Sequence, residues 1–291
     1  MSIKSKILDF VRIIVCRIPF IEKLILEQLR QGNVIAQKLL AGNHLYPKNS
    51  IRHCTRNNIN YELDISDYMQ HAIYFHLTQH VDFDRRKLYS LIEANFVCID
   101  IGANIGETTL NFAQIAKNGK VYSFEPVPFL FEQLIKNISL NDYNNIAAFN
   151  IAIADNEEDL FFEMPSNKNS AGISLNKQQA GTAKRVVGTT LDNFIRQQNI
   201  PHIDFIKIDV EGFEYFVLKG ATQTILQHRP ILFIEIDNSY LSAKNTSEKE
   251  VLSYLQNKLG YTIYRINGIA QEKINNLENT NLHYDVLCVF E

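Results

Sequence analysis

Residues 100–106 have the sequence Asp-Ile-Gly-Ala-Asn-Ile-Gly, and this stretch decides the fold. The run before it, residues 96–101, is short, apolar and bounded by glycine, which is typical of a buried strand. The two glycines let the backbone turn tightly and approach a ligand closely. In open α/β sheets, ligands bind at the carboxyl ends of the strands. The stretch therefore predicts an α/β sheet with a ligand-binding turn after this strand.

The glycine loop fits neither of the two common phosphate-binding motifs. A dinucleotide motif needs further glycines at positions 104 and 107, where Asn104 and Glu107 stand, and no P-loop lysine follows. Glu125 ends the next predicted strand, 23 residues after Gly102, where an acid can accept hydrogen bonds from both ribose hydroxyls. The missing glycines favour S-adenosylmethionine, which has no pyrophosphate, over NAD.

Two further carboxylates follow a later predicted strand, residues 205–209. Asp209 ends this strand and Glu211 comes two residues later, so both should lie at the same sheet edge as the glycine loop. Acidic groups suit a positively charged sulfonium, and buried acids at strand ends cluster at functional sites. The alternative is that one of them only pairs with Lys207 or caps the following helix.

Strands and helices alternate through the rest of the chain. Further strands are predicted at residues 121–124, 146–151, 160–164, 185–187, 231–236, 261–266 and 284–290. Helices are predicted at residues 105–116, 129–140, 191–198, 214–227 and 247–259, the third capped by Thr190. This alternation predicts a mostly parallel sheet with helices on both faces.

The first part of the chain follows other patterns. An apolar stripe over residues 3–30 predicts an amphipathic helix, which Pro19 should kink or split. Alternation on either side of Asn57-Asn58 predicts a β-hairpin over residues 51–65. Further helices are predicted at residues 34–41, 67–77 and 85–94. We therefore expect an accessory region over residues 1–90 and a separate domain over residues 91–291.

Charge is divided unevenly between these parts. The 291 residues carry a formal net charge of −3, and 46% of them are hydrophobic, which excludes a disordered protein. Residues 1–60 hold ten Lys/Arg and three Asp/Glu (+7), and the rest hold 19 and 29 (−10). We call residues 1–60 the basic head and residues 61–291 the acidic body. The acidic body lacks a basic stripe, so no nucleic-acid partner is expected. The basic head is expected to be a lid or a homodimer face, or to dock residues 1–30 on anionic lipid or a phosphorylated glycolipid.

The sequence shows no segment typical of membrane insertion or secretion. The apolar run at residues 13–16 lies between Arg12 and Arg17 and is far shorter than the ~20 residues that span a bilayer. The four cysteines form no C-x-x-C pair. We expect a cytoplasmic protein with free thiols, membrane-peripheral if its head docks on lipid.

With these features the chain resembles the FkbM family of class I S-adenosylmethionine-dependent methyltransferases. The most distinctive motif is Lys-Ile-Asp-Val-Glu-Gly-Phe-Glu at residues 207–214. The other matching stretches are residues 100–106, 124–126, 150–155, 190–192, 218–221, 229–230 and Glu235. The resemblance covers roughly residues 95–265. It implies a Rossmann-like, seven-stranded sheet with an antiparallel last strand, and makes residues 91–291 the methyltransferase domain.

The resemblance also implies an activity and a set of site residues. The activity is methyl transfer, usually to oxygen, with a saccharide, glycolipid or secondary metabolite as acceptor. The glycine loop would line the methionine end of the cofactor, Glu125 the ribose, and Asp155 the adenine side. The full expected binding set is Asp100, Gly102, Ala103, Asn104, Gly106, Glu125, Pro126, Ala152, Asp155 and Asp209.

Two routes for activating a hydroxyl acceptor remain open at this point. Asp209 or Glu211 would act as general base, a contribution typically worth ~10²–10⁴-fold. Alternatively, Asp209 with Asp237-Asn238 resembles the Mg²⁺ ligands of catechol-type O-methyltransferases, although an Asp-Asn pair also commonly begins a loop. Two rival functions are an NAD-dependent oxidoreductase and an inert membrane-peripheral or scaffold module with this fold.

Overall fold

The computed structural model describes residues 9–14, 18–75, 77, 81–164, 169–170, 172–268, 270–277 and 283–291. Contacts divide the chain into two compact units, Met1–Gln79 with Pro165–Ala171, and His80–Met164 with Gly172–Glu291. The division falls before residue 90, because the helix Val81–Ser90 buries Leu88 in the same apolar cluster as Phe112 of the second unit. The separate roles expected for residues 1–90 and 91–291 stay a prediction.

The first unit contains the predicted hairpin. Strands β1 (Ile51–Arg56) and β2 (Ile59–Asp64) pair antiparallel. Asn57 and Asn58 both have positive φ, 50° and 64°, as a two-residue turn between twisted strands requires. The inner face of β2 buries Ile59, Tyr61 and Leu63 completely or nearly so. The prediction of a hairpin is confirmed.

Helices precede and follow this hairpin. They are Pro19–Arg30, Val34–Leu39 and Tyr68–Phe75, and residues 9–14 are also helical. Pro19 begins a helix, because the missing proline N–H costs nothing in the first turn. Of the two alternatives, a kink within a helix is wrong, whereas residues 15–17, where a split would lie, are outside the described residues. The remainder of the predicted helix over residues 3–30, at residues 3–8 and 15–17, lies outside the described residues.

The second unit contains the predicted sheet. Its strands are β3 (Val97–Ile101), β4 (Lys120–Phe124), β5 (Ile146–Phe149), β6 (Ala152–Ile153), β7 (Asp159–Phe162), β8 (Leu175–Asn176), β9 (Lys184–Thr189), β10 (Phe205–Ile208), β11 (Ile231–Asp237), β12 (Thr262–Asn267), β13 (Ala270–Lys273) and β14 (His283–Val289). The larger sheet has the order β13-β12-β14-β11-β10-β3-β4-β5. Strands β5, β4, β3, β10 and β11 run parallel, and β14 is antiparallel to β11. This confirms the α/β fold and its antiparallel last strand.

Two details of the sheets differ from expectation. Within the described part of the chain the larger sheet has eight strands instead of seven, because β13 adds an edge antiparallel to β12. The predicted strand at residues 146–151 ends at Phe149. The chain then enters a second, smaller sheet with the order β6-β9-β7-β8.

Helices cover both faces of the larger sheet. They are Val81–Ser90, Glu107–Ile115, Pro128–Ser139, Leu191–Gln198, Glu214–Gly220, Thr222–His228, Asn238–Ala243 and Glu248–Ser253, and a π-helix follows at Tyr254–Lys258. The predicted helix at 214–227 is interrupted at Ala221. Just before this interruption, the backbone of Gly220 packs closely on that of Ala154. A Cβ at position 220 would lie 1.8 Å from the carbonyl oxygen of Ala154, so only glycine fits there.

The central strand β10 shows how the sheet orients the site. All four of its residues are buried. Ile206 and Ile208 belong to the apolar cluster on one face, whereas Phe205 belongs to the cluster on the other. Because side chains alternate along a strand, Lys207 lies on the same face as Phe205. No helix in the described ranges is both long and apolar enough to cross a membrane.

Candidate active site

The glycine loop lies directly against the end of β10. The N–H groups of Gly102 and Ala103 both donate to the carbonyl of Phe124 at 3.0 Å, which fixes the turn after β3. Gly102 has φ +85°, and a Cβ there would lie 1.8 Å from the carbonyl oxygen of Asp209. The loop and Asp209 are therefore packed backbone to backbone, and no larger residue fits at position 102.

Glu125 ties the same loop to the end of β4. Its side chain is 4% exposed and accepts hydrogen bonds from the N–H groups of Asn104 at 2.8 Å and Val127 at 2.9 Å. Burial raises the pKa of Glu125 to about 7. Each carboxylate oxygen receives one N–H and keeps acceptor capacity for a further donor, such as a ribose hydroxyl.

The helix Glu107–Ile115 starts where the loop ends. Gly106 has φ +94° and occupies the position before its first turn. Ala103 is buried, and the half-buried Pro126 accepts a hydrogen bond from the Asn150 side chain at 3.0 Å. The structure thus brings the predicted loop residues and Glu125 together around one helix N-terminus, an arrangement that favours an anionic group nearby.

A buried lysine connects the loop to two carboxylates. The Nζ of Lys207 lies 2.9 Å from Oδ2 of Asp209, 3.4 Å from the carbonyl oxygen of Gly102 and 3.6 Å from Oδ1 of Asp100. Asp100 is fully buried and also accepts from the Thr109 hydroxyl at 2.6 Å. Burial alone would raise the pKa of Asp209, but Lys207 outweighs it and lowers that pKa, so Asp209 stays ionised.

Three carboxylates meet beside this lysine. Oxygen atoms of Asp209, Glu211 and Glu235 lie within 4.8 Å of one another. Burial, with the neighbouring Glu235, raises the pKa of Glu211 to about 9. Burial, with the neighbouring Asp209, raises the pKa of Glu235 to about 7. At neutral pH the cluster therefore contains one firmly ionised carboxylate, one protonated carboxyl and one that titrates.

The turn that carries Glu211 is held by Glu214. Glu211 and Gly212 both have positive φ, 51° and 94°. The buried Glu214 carboxylate accepts from the N–H groups of Val210 at 3.3 Å and Gly212 at 3.0 Å. The hydroxyl of Ser174 donates to the Glu211 carbonyl at 2.5 Å. The backbone of the turn that carries Glu211 is thus held by the side chains of Glu214 and Ser174.

His283 adds a positive charge on the other side of the cluster. Its Nε2 lies 3.2 Å from Oε1 of Glu235, and its Nδ1 lies 3.2 Å from Oδ2 of Asp237. The hydrogen bond to Glu235 raises the pKa of His283 to about 10 despite partial burial. With a carboxylate at each ring nitrogen the imidazole is a cation that positions Glu235, and both nitrogens act as donors.

Asp237 and Asn238, considered from the sequence as Mg²⁺ ligands, have other partners in the structure. Asp237 accepts from the Ser239 N–H at 2.8 Å and caps the helix Asn238–Ala243. The side-chain oxygen of Asn238 accepts from the Glu248 N–H at 3.2 Å. The pair therefore begins a helix, and the carboxylates grouped with Asp209 are Glu211 and Glu235 instead.

The residues expected on the adenine side are occupied by local contacts. Asp155 forms an ion pair with Lys177 at 2.5 Å, and Lys219 lies 4.0 Å away. Ala152 is buried in β6, where it pairs with Gly188 of β9. Their contact with a cofactor stays a prediction.

A cavity of about 620 Å³ opens beside the carboxylates. Side chains of Lys207, Asp209, Glu235 and His283 line it, together with Arg85, which is ion-paired with Glu107. Other lining residues include Leu88, Thr108, Phe233, Asn267, Gln271 and Asp285. Charged and amide groups alternate in this lining with apolar side chains such as Leu88 and Phe233, so the cavity suits a ligand that has both polar groups and apolar surface.

Comparison with known proteins identifies the family. Residues 100–263, more than half of the chain, match the family model described as the methyltransferase FkbM domain. The chain belongs to the FkbM methyltransferase family. The match begins at Asp100, before the glycine loop, and ends in β12 at Ile263, so it contains the loop and all three clustered carboxylates.

The FkbM chain is also similar to curated and solved proteins. It is 27% identical over 151 residues to the hexuronic acid methyltransferase AglP of Haloferax volcanii, covering 52% of this chain and 60% of that protein. It is 27% identical over 161 residues to the 2-O-methyltransferase NoeI of Sinorhizobium fredii, covering 50% and 65%. The chain thus matches less than two thirds of these relatives' lengths. The crystal structure of methyltransferase FkbM from Methylobacillus flagellatus KT aligns with TM-score 0.45 and 18% identity, over 76% of this chain and 55% of that one.

Sequence reasoning missed three charged members of this FkbM site. The sequence patterns predict Lys207 only as a partner of a carboxylate and as part of a motif, Glu235 only as part of a motif, and His283 not at all. His283 pairs in register with Asp237 because β14 is antiparallel to β11, which brings the beginning of β14 to the carboxyl end of β11. The antiparallel last strand implied by the resemblance was the signal that could have located it.

Proposed function

We propose that this FkbM protein transfers the methyl group of S-adenosylmethionine to a hydroxyl of a saccharide, glycolipid or secondary metabolite. The observation that carries the proposal is the position of Asp209. Its backbone packs on Gly102 of the cofactor loop, and its side chain lines the cavity beside Lys207. One carboxylate therefore lies next to both the expected cofactor loop and an acceptor-sized space.

The residues of the loop fit this cofactor. Gly102 lets the loop pack backbone to backbone on Asp209, and Glu125 offers acceptor oxygens at the strand end where a ribose would lie. Asp209 places a negative charge close to this loop, which favours a positively charged sulfonium. The binding set proposed from the sequence, Asp100 to Asp209, is retained as part of this proposal.

The chemistry asked of the protein is alignment and proton removal. S-adenosylmethionine supplies an activated methyl group with a good, neutral leaving group. The side chains lining the cavity would align the acceptor hydroxyl and exclude water from it. Asp209, kept ionised by Lys207, would take the hydroxyl proton at a carboxylate oxygen. Glu211 remains the second candidate base, but it holds its own proton until about pH 9.

The acceptor class follows from the cavity lining and the relatives. Carboxylates, amides and cations around the cavity provide donors and acceptors for several hydroxyl groups at once. AglP is named for a hexuronic acid, which supports a sugar-like acceptor, and NoeI is named for 2-O-methylation, which supports transfer to oxygen. A polyhydroxylated acceptor satisfies these polar groups better than an apolar one would.

The test is a binding measurement followed by a turnover screen. Isothermal titration calorimetry should detect S-adenosylhomocysteine and give no signal with NADH. A methyl-transfer screen over free sugars, glycosides and glycolipids should then yield a methylated oxygen. Binding of NADH would favour the oxidoreductase alternative. Failure to bind both S-adenosylhomocysteine and NADH would favour an inert module.

A further inference from the structure

Exposed apolar side chains are concentrated in the first unit. Sixteen large hydrophobic side chains are exposed among the residues whose burial is described, and eight of them lie within residues 9–35. They are Phe10, Val11, Ile14, Ile18, Phe20, Leu24, Val34 and Ile35. Such concentration on a soluble surface marks an interaction site.

The helix Pro19–Arg30 has two apolar faces. Its inner side packs Ile21, Ile25 and Leu29 into a small cluster with the helix Val34–Leu39. Its outer side leaves Phe20 71% and Leu24 46% exposed, four residues apart and therefore on one face. The inner face is covered by apolar neighbours within the unit, whereas the outer face stays exposed.

The second helix extends the same kind of surface. Val34 is 60% and Ile35 67% exposed, although the neighbouring Ala36 is buried. Lys38, one turn after Val34, and Lys23, one turn after Phe20, are exposed as well. We define Phe20, Lys23, Leu24, Val34, Ile35 and Lys38 as the head surface.

Basic residues outnumber acidic ones in the part of the sequence that contains the head surface. Residues 1–60 carry a formal charge of +7, from ten Lys/Arg and three Asp/Glu. Of the three acids, Glu22 is buried and forms an ion pair with Arg52, which turns its charge inward. Glu27 is an exposed acid on the same helix, so basic groups outnumber acids but do not stand alone.

We infer that the head surface docks on a membrane bearing anionic phospholipid. Apolar side chains on short helices enter the boundary between headgroups and acyl chains, and flanking lysines reach the lipid phosphates. Anionic lipid attracts a basic segment with a strength that adds up over its charges. This docking goes beyond methyl transfer and would bring the enzyme to acceptors held at a membrane.

A second copy of the chain is the less favoured occupant of this surface. In a two-fold dimer the same patch contacts itself, so two basic heads would face each other across the interface. Like charges oppose such an approach, whereas an anionic lipid surface complements the head. Charge therefore selects the membrane.

Vesicle co-sedimentation of the full-length protein tests this inference. Vesicles are either phosphatidylcholine alone or equal parts phosphatidylcholine and phosphatidylglycerol. We expect the wild type to sediment with the anionic vesicles only, and binding to weaken as salt is raised. The double variant Phe20→Ser with Ile35→Ser should bind about tenfold more weakly or worse, since it removes the apolar contacts. Lys23→Glu with Lys38→Glu should lose binding as well.

A matched control separates docking from general effects of the substitutions. Ile135 and Val187 are 43% and 54% exposed in the second unit, so Ile135→Ser with Val187→Ser removes similar groups elsewhere. This control should bind vesicles like the wild type, and circular dichroism should show every variant folded. The inference would be overturned if the wild type did not co-sediment with anionic vesicles. It would also be overturned if the Phe20→Ser/Ile35→Ser variant bound these vesicles as strongly as the wild type does. A dimer, seen by light scattering, that this double variant abolishes would overturn it too.

Discussion

At the scale of single residues, the charge state of the site depends on Lys207. Its ammonium group is the cation nearest to Asp209 and lies within reach of Asp100 and the Gly102 carbonyl. The side chain is 9% exposed, so its interactions with these carboxylates are weakly screened by solvent. Without it, the fully buried Asp100 and the 35% exposed Asp209 would be like charges with no cation between them.

Replacing Lys207 should therefore destabilise the protein. Lys207→Met leaves the buried Asp100 carboxylate without its cation, and breaking a buried ion pair typically costs about 3–5 kcal/mol. Chemical denaturation of the purified variant measures the loss. Lys219→Met is the matched control, because Lys219 is 43% exposed and 4.0 Å from Asp155, and it should change stability by less than about 1 kcal/mol. Equal effects of the two substitutions would contradict the role given to Lys207.

Replacing Asp209 should remove turnover but spare the fold. Asp209→Asn keeps the shape and deletes the proton acceptor, so kcat should fall by about 10²–10⁴-fold. The Kd for S-adenosylhomocysteine should change far less, since the glycine loop remains. Glu211→Gln should reduce kcat less than Asp209→Asn does. Near-wild-type turnover in both variants would show that neither carboxylate is the base.

At the scale of elements, chain topology assembles what local patterns cannot. Turn chemistry predicted the hairpin at Asn57-Asn58, and Thr190 caps its helix by accepting from the Asn193 N–H at 3.0 Å, as expected. Strand β13 was missed because all four of its residues are exposed, which leaves no apolar pattern. His283 was missed because its contact with Asp237 depends on strand pairing across 46 residues of sequence.

The close approach of β3 and β10 predicts a strict requirement for glycine. In Gly102→Ala the new Cβ would collide with the Asp209 carbonyl oxygen and occupy a backbone with φ +85°. The loop must then shift, so affinity for S-adenosylhomocysteine should fall by at least about tenfold, read by calorimetry. Gly181→Ala is the control, because φ there is +52° but the nearest atom lies 3.6 Å away. Should both variants bind alike, the loop is not part of the site.

At the scale of the whole molecule, buried carboxylates link stability to pH. The pKa of Glu211 is raised to about 9, mainly by burial and then by Glu235, whereas an unfolded glutamate titrates near about 4.3. Between these values the folded state holds a proton that the unfolded state has lost, so stability falls as pH rises through this window. The stabilisation is complete below the unfolded pKa and gone above the folded one.

Glu211→Gln should reduce this slope but not remove it, because the raised pKa values of Glu125, Glu214 and Glu235 act in the same direction. The Tm of the variant should decline less than that of the wild type between about pH 5 and about pH 9, because an amide does not titrate. Differential scanning calorimetry across the range measures both profiles. If Tm declined equally with pH in the wild type and in Glu211→Gln, the fold would not raise the pKa of Glu211.

The measurement that tests the central claim most directly is S-adenosylhomocysteine binding to the wild type and to Glu125→Gln. We predict that the wild type binds, and that the variant binds at least about tenfold more weakly, because it loses charged hydrogen bonds to the ribose. Glu125→Asp keeps the carboxylate but on a shorter side chain, so its affinity for S-adenosylhomocysteine should lie between those of the wild type and Glu125→Gln. Thermal unfolding checks that each protein is folded. A wild type that does not bind, or a folded Glu125→Gln that binds equally well, would contradict the account.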